Sequence, residues 1–112
     1  MFHKELKQLM DDYVHLVYTM TRKFPKCELY GCTSQLRRSA LSVILNYIEG
    51  YARRRKASLK NFLEISYASL QESKYLLHFS LKELYINHDE FKIADALAER
   101  IGAMLWGIID KL

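Results

Sequence analysis

The densest group of side chains able to do chemistry is a run of four cations, Arg53-Arg54-Arg55-Lys56. Such runs bind phosphate groups through charge attraction and hydrogen bonds, with release of counterions. The run follows a predicted helix, and the dipole of that helix accounts for one or two of the charges but not for four. We therefore predict a phosphate-binding surface around it. Its members are Arg37, Arg38, Arg53, Arg54, Arg55, Lys56 and Lys60.

The charge of the chain is concentrated around this run. The 112 residues have a net charge of +4, but residues 22–60 contain ten Lys or Arg residues and only two acids. The remainder is net acidic. This asymmetry is typical of a protein that binds a polyanion, or of one that associates with itself through opposite faces. A solvated basic surface without a partner is the alternative.

No residue pattern indicates catalysis, a metal or a cofactor. Cys27 and Cys32 are spaced neither as a zinc knuckle nor as a redox pair, and we expect both to be free thiols. The histidines show no i, i+4 pair, and the Glu-x-x-His element of di-metal bundles is absent. The four histidines are His3, His15, His78 and His88. We predict that the protein is not an enzyme.

Polar residues share one face of the second predicted helix, because they recur every three or four positions. They are Gln35, Ser39, Ser42, Asn46, Glu49 and Arg53. This polar stripe is either exposed to solvent or buried at a helix or subunit interface, with Asn46 and Glu49 in a hydrogen-bond network. The apolar residues beside it favour an interface.

Serines recur along the third predicted helix at positions that allow another helix to approach closely. They are Ser66, Ser69, Ser73 and Ser80. A serine nucleophile needs a base and an oxyanion site nearby, and the chain offers neither in a recognisable pattern. We therefore predict that these serines pack against a neighbouring helix.

Four helices are predicted to position these side chains, because apolar residues recur at helical spacing in four stretches. The first is about 20 residues long and is stopped by Phe24-Pro25. The others run from about Ser34 to Ala52, from Ser58 through Tyr85, and from Asp89 towards the end. The sequence predicts an all-α, up-down-up-down antiparallel four-helix bundle, with residues 1–112 in a single domain.

Local signals at the helix starts predict their caps. A hydroxyl side chain, Thr33 or Ser34, is expected to cap the second helix, and Ser58 the third. Asp89 and Glu90 place negative charge in the first turn of the fourth helix, where the helix dipole favours it.

The second helix is apolar on most of its sides, from Leu36 to Tyr51. Such a helix has to be covered on most sides, and the other three helices of one small bundle are too few for that. We therefore expect the protein to assemble as a homo-oligomer.

Several motifs resemble one known family. They are Phe24-Pro25-Lys26-Cys27-Glu28-Leu29-Tyr30-Gly31, Thr33-Ser34-Gln35-Leu36-Arg37-Arg38-Ser39-Ala40, Asn46-Tyr47-Ile48-Glu49-Gly50, and the pair Ser69 and Glu72. Together they resemble the four-helix-bundle proteins encoded in 23S rRNA intervening sequences. The chain departs from that pattern at Ile44, Ile48 and Ala68, where the family has smaller residues or glycine. We expect structural or interface roles for Gln35, Ser42, Asn46, Glu49, Ser69 and Glu72.

The resemblance implies a small bacterial protein that forms a ring of five subunits. It also implies kinship with the accessory variability proteins of diversity-generating retroelements, which bind nucleic acid and a reverse transcriptase.

The protein is expected to be cytoplasmic and without membrane contact. Two functions are predicted for it. The first is a homo-oligomeric bundle that binds RNA or DNA through its basic surface. The second is an interaction scaffold whose basic surface meets an acidic protein partner and no nucleic acid.

Overall fold

The computed structural model describes residues 1–112 and contains four α-helices and no strand. The helices are α1 (Phe2–Thr21), α2 (Cys32–Ala52), α3 (Lys56–Lys82) and α4 (His88–Asp110), with a short 3-10 turn at Lys26–Glu28. The all-α prediction is confirmed. Apolar spacing is sufficient for this result because each helix buries one face, on which the buried residues recur about every three or four positions.

Each helix packs against two of the other three. The start of α1 lies against the end of α2, where His3 Nδ1 and Tyr47 OH are 2.6 Å apart. The end of α1 lies against the start of α2, where the Nε of Arg37 donates to Thr21 Oγ1 over 2.7 Å. These two contacts join opposite ends of α1 and α2.

The core contains 22 buried apolar residues contributed by all four helices and the connections. Tyr13, in the middle of α1, is completely buried. Its hydroxyl and Ser73 Oγ on α3 are 2.7 Å apart, so the phenol reaches across the bundle without leaving a polar atom unpaired. Burial raises the pKa of Tyr13 to about 12, which keeps the phenol neutral.

The caps of α2 and α3 differ from the predicted ones. Thr33 and Ser34 lie inside α2, which begins at Cys32 and is capped instead by Glu28: its Oε1 accepts from the Cys32 N–H over 3.0 Å. The prediction of a Ser58 cap was also wrong, because α3 begins two residues earlier, at Lys56, without a side-chain cap.

In the connection between α3 and α4, capping residues mark the start of α4, but no glycine or proline marks the end of α3. Asn87 caps α4 in a reciprocal pair with Glu90, and Asp89 and Glu90 lie in the first turn as predicted. The predicted run of α3 to Tyr85 was too long. The helix ends at Lys82, and Leu84 adopts a left-handed conformation with a φ of 65°.

None of the four helices has the length and hydropathy that crossing a lipid bilayer requires.

Candidate nucleic-acid interface

Five of the seven cations of the predicted surface lie at the connection between α2 and α3. The helix α2 ends at Ala52, Arg53 continues in an extended conformation, and α3 begins at Lys56. We call the group formed by Arg53, Arg54, Arg55, Lys56 and Lys60 the basic turn. All five of its members are exposed.

Arg53 contacts other side chains of the protein, and the other four cations form no ion pair. Its guanidinium contacts the Glu49 carboxylate at 2.8 Å and lies 4.9 Å from the centre of the Phe62 ring. No ion pair involves Arg54, Arg55, Lys56 or Lys60. Those four charges are therefore available to an anionic partner.

Gly50 allows the two helices that carry the basic turn to approach closely. A Cβ at this position would lie 3.1 Å from the Cβ of Phe62 and 3.2 Å from a methyl carbon of Leu59. The start of α3 is thus packed directly against the last turn of α2.

Two members of the predicted surface lie elsewhere. Arg37 and Arg38 are in the second turn of α2, and a rise of 1.5 Å per residue places Arg37 about 24 Å from Arg53. Arg38 is exposed, whereas Arg37 is partly buried against α1, with its guanidinium 4.7 Å from the centre of the Tyr18 ring. The seven cations therefore do not form one continuous surface.

The polar stripe of α2 divides into a packed part and an exposed part. Ser42 Oγ and Ser69 Oγ are 2.8 Å apart, and the amide of Asn46 donates to both the carbonyl and the hydroxyl of Ser42. This part lies between α2 and α3. Ser39 is buried as well, and its hydroxyl donates to the Leu36 carbonyl of the same helix. In the single chain the remaining stripe residues are exposed, and so is Glu72 on α3. The exposed stripe residues are Gln35, Glu49 and Arg53.

The serines of α3 have the packing role predicted from their spacing. Ser66 donates to the Val43 carbonyl of α2 over 2.6 Å. Ser73 meets Tyr13 of α1, as described above, and Ser80 Oγ lies 3.5 Å from the sulfur of Cys32. Each hydroxyl thus contacts a second helix, and no buried side-chain polar atom lacks a partner.

Both cysteines are free: Cys27 is exposed and Cys32 is buried. Burial raises the pKa of the Cys32 thiol, which keeps it protonated and unreactive at neutral pH. No group of three His, Cys, Asp or Glu residues is arranged to hold a metal ion.

The outer face of α2 is apolar and uncovered in the single chain. Leu41, Leu45 and Ile48 are 37%, 53% and 46% exposed, respectively. They follow one another at spacings of four and three residues, so they form a continuous apolar strip, which we call the outer strip.

Glu28 was missed by the sequence analysis. Its carboxylate links the start of α2 to the α3–α4 connection, because Oε1 accepts from Cys32 N–H and Oε2 accepts from the hydroxyl of Tyr85 over 2.7 Å. No spacing rule points to a cap that lies three residues before the N-cap, Gly31.

Comparisons with known proteins agree with this architecture. A sequence model of the 23S rRNA-intervening sequence protein family matches residues 4–107. The fold is similar to a 1.70 Å crystal structure of a protein with unknown function from the S23 ribosomal protein family of Bacteroides thetaiotaomicron VPI-5482. The TM-score is 0.86 at 19% sequence identity, over 93% of this chain and 97% of that one. No curated protein sequence matches the chain.

Proposed function

The chain belongs to the 23S rRNA-intervening sequence protein family, and from that premise we propose that it is a non-enzymatic, homo-oligomeric bundle that binds RNA or DNA through the basic turn. The observation that carries this proposal is the set of four exposed cations without an acidic partner at one end of the bundle. Such charges attract phosphates at any sequence, because the phosphate backbone is common to all nucleic acids.

The proposed assembly is a ring of five subunits, as the family resemblance implies, and each subunit is an up-down-up-down bundle in the cytoplasm. Contacts between opposite helix ends support the antiparallel arrangement. Lys23 near the end of α1 meets Glu90 at the start of α4, and Lys74 of α3 meets Glu99 of α4. The outer strip supports assembly, because soluble monomers rarely leave such a continuous apolar surface uncovered.

A ring would also strengthen binding. Each subunit contributes one basic turn, so a closed oligomer presents several turns to the same polyanion. Linked contacts of this kind raise the overall affinity well above that of one turn.

The test is nucleic-acid binding as a function of salt, measured by fluorescence anisotropy with labelled single-stranded and duplex oligonucleotides. For the wild type we expect the affinity to fall with salt, with a logarithmic slope of about −0.7 to −0.9 per neutralised phosphate. The double variant Arg54→Ala/Arg55→Ala should bind all sequences more weakly and show a shallower slope.

The matched control is Lys82→Ala/Lys92→Ala, which removes the same charge from exposed positions near the α3–α4 connection. Equal loss of affinity in both double variants would mean that net charge alone drives binding. Absence of binding by the wild type even at about 50 mM salt would favour the scaffold function instead, with an acidic protein, such as a reverse transcriptase, on the basic turn.

A further inference from the structure

A second cationic site lies at the opposite end of α2. A cleft of about 290 Å³ opens between the end of α1, the segment that follows it and the first turns of α2. Its polar walls include three cations and no carboxylate. The polar residues of the wall are Thr21, Arg22, Lys26, Thr33 and Arg37. The rest of the wall is apolar and consists of Phe24, Pro25 and Leu29.

Arg37 is held in a fixed orientation in this cleft. Its Nε donates to Thr21 Oγ1 over 2.7 Å, and its guanidinium stacks against the Tyr18 ring. Both terminal nitrogens remain without a protein acceptor. A guanidinium that is fixed in this way loses little conformational freedom when it forms a bidentate contact with an oxyanion.

Thr33 provides an unused hydroxyl in the same wall. The residue is only 4% exposed, yet it lines the cleft and takes part in none of the side-chain hydrogen bonds that tie α1, α2 and α3 together. No fully buried side-chain polar atom of the chain lacks a partner. The unpaired Thr33 hydroxyl is therefore open to the cleft, where it can bond a ligand atom.

The cations of the cleft are not neutralised by the protein. Arg22, Lys26 and Arg37 form no ion pair. The closest carboxylate in sequence is that of Glu28, which is occupied by the Cys32 N–H and the Tyr85 hydroxyl and does not line the cleft. The site therefore has unbalanced positive charge that a dianion would neutralise.

We infer that this cleft binds the phosphate group of a small organic phosphate. The phosphate contacts Arg37, the Thr33 hydroxyl and the two exposed cations, Arg22 and Lys26. A phosphate group fills only part of the cleft, whose volume is close to the lower limit of small-molecule sites, about 300 Å³. The apolar wall formed by Phe24, Pro25 and Leu29 then accommodates the organic part. This inference does not depend on nucleic-acid binding by the basic turn.

The test is isothermal titration calorimetry with AMP, adenosine and inorganic phosphate at constant ionic strength. We expect saturable binding of AMP, weaker binding of inorganic phosphate and none of adenosine. Thr33→Val keeps the buried shape and removes a hydroxyl that has no protein partner, so it should leave stability unchanged and weaken AMP binding about three- to tenfold. The double variant Arg22→Ala/Lys26→Ala should weaken it about tenfold or more.

Two control variants separate this site from the basic turn. Thr19→Val changes an exposed threonine of α1, and Arg54→Ala/Arg55→Ala removes the same charge at the far end of α2; both should bind AMP as the wild type does. Equal weakening by the two arginine-containing double variants, or no saturable AMP binding by the wild type, would overturn the inference. Equal affinities for AMP and inorganic phosphate would overturn the role of the apolar wall.

Discussion

At the scale of single residues, Glu28 connects two distant parts of the chain. The Cys32 N–H and the Tyr85 hydroxyl both donate to its carboxylate. These bonds, the backbone one first, lower the pKa of Glu28. The same contact raises the pKa of Tyr85 to about 12, because an ionised phenol can no longer donate this hydrogen bond and is repelled by the Glu28 carboxylate.

We predict that Glu28→Gln lowers the melting temperature at pH 7 and that the difference disappears in acid. A carboxyl whose folded-state pKa is lowered stabilises the fold above its unfolded pKa, about 4.5, and loses that effect as the pH falls through the lower folded value. Thermal unfolding of both proteins between pH 7 and pH 3 measures this. Glu64→Gln, at an exposed glutamate without an ion pair, is the control and should show no such pH dependence.

The same residue shows what sequence patterns leave out. Rules for helix caps examine the residue just before the helix, and here that residue is Gly31, which has no side chain. The cap comes from Glu28 because a 3-10 turn folds the preceding segment back onto the helix start. Asn87 does fit those rules, since it stands directly before the acidic first turn of α4, although only Asp89 and Glu90 were predicted there.

At the scale of helices, the pairing of α2 with α3 is the most extensive in the molecule. Small residues make it possible: Gly50 meets Leu59 and Phe62, and Ser66 donates to the Val43 carbonyl. Small side chains let the two backbones approach closely, and the Ser66 hydroxyl is hydrogen-bonded within the interface, so its burial leaves no polar group unpaired.

We predict that Gly50→Ala lowers the free energy of unfolding by about 1 kcal/mol, because overpacking exceeds the gain in helix propensity. The new methyl group would lie 3.1 Å from the Cβ of Phe62, which cannot move without α3. Gly107→Ala, where a methyl group meets nothing within 4 Å, should raise the free energy of unfolding by up to about 1 kcal/mol. Chemical denaturation at one protein concentration compares the two, and equal effects would contradict the prediction.

The sequence predicted the helices as far as the spacing of apolar residues defines where each one lies. All four follow from apolar spacing, but the end of α3 does not, since Leu84 takes the left-handed conformation that usually requires glycine. The candidate site was predictable in part. Charge density located the basic turn, whereas the inward orientation of Arg37 depends on how α1 packs against α2.

At the scale of the whole molecule, the outer strip of α2 predicts the state of the protein in solution. Light scattering at micromolar concentration should give about five times the chain mass of 13.3 kDa. Leu45→Asp should dissociate the assembly, because it places a charge in the middle of the strip, where burial would remove its hydration.

Ile93→Asp is the matched control for this prediction. Ile93 is 62% exposed on α4, away from the outer strip, so its replacement should leave the mass unchanged. A wild type that stays at 13.3 kDa, or equal dissociation of both variants, would contradict assembly through α2.

Arg37 lies near the start of α2 and Arg53 directly follows its last residue, so this helix sets the distance between them. Their separation of about 24 Å is fixed, because an α-helix does not stretch. Phosphates along one strand of a duplex advance by about 3.4 Å each, so roughly seven steps cover this distance. A polyanion would have to span at least this distance to touch both cationic ends of α2, and a shorter one would reach only one of them.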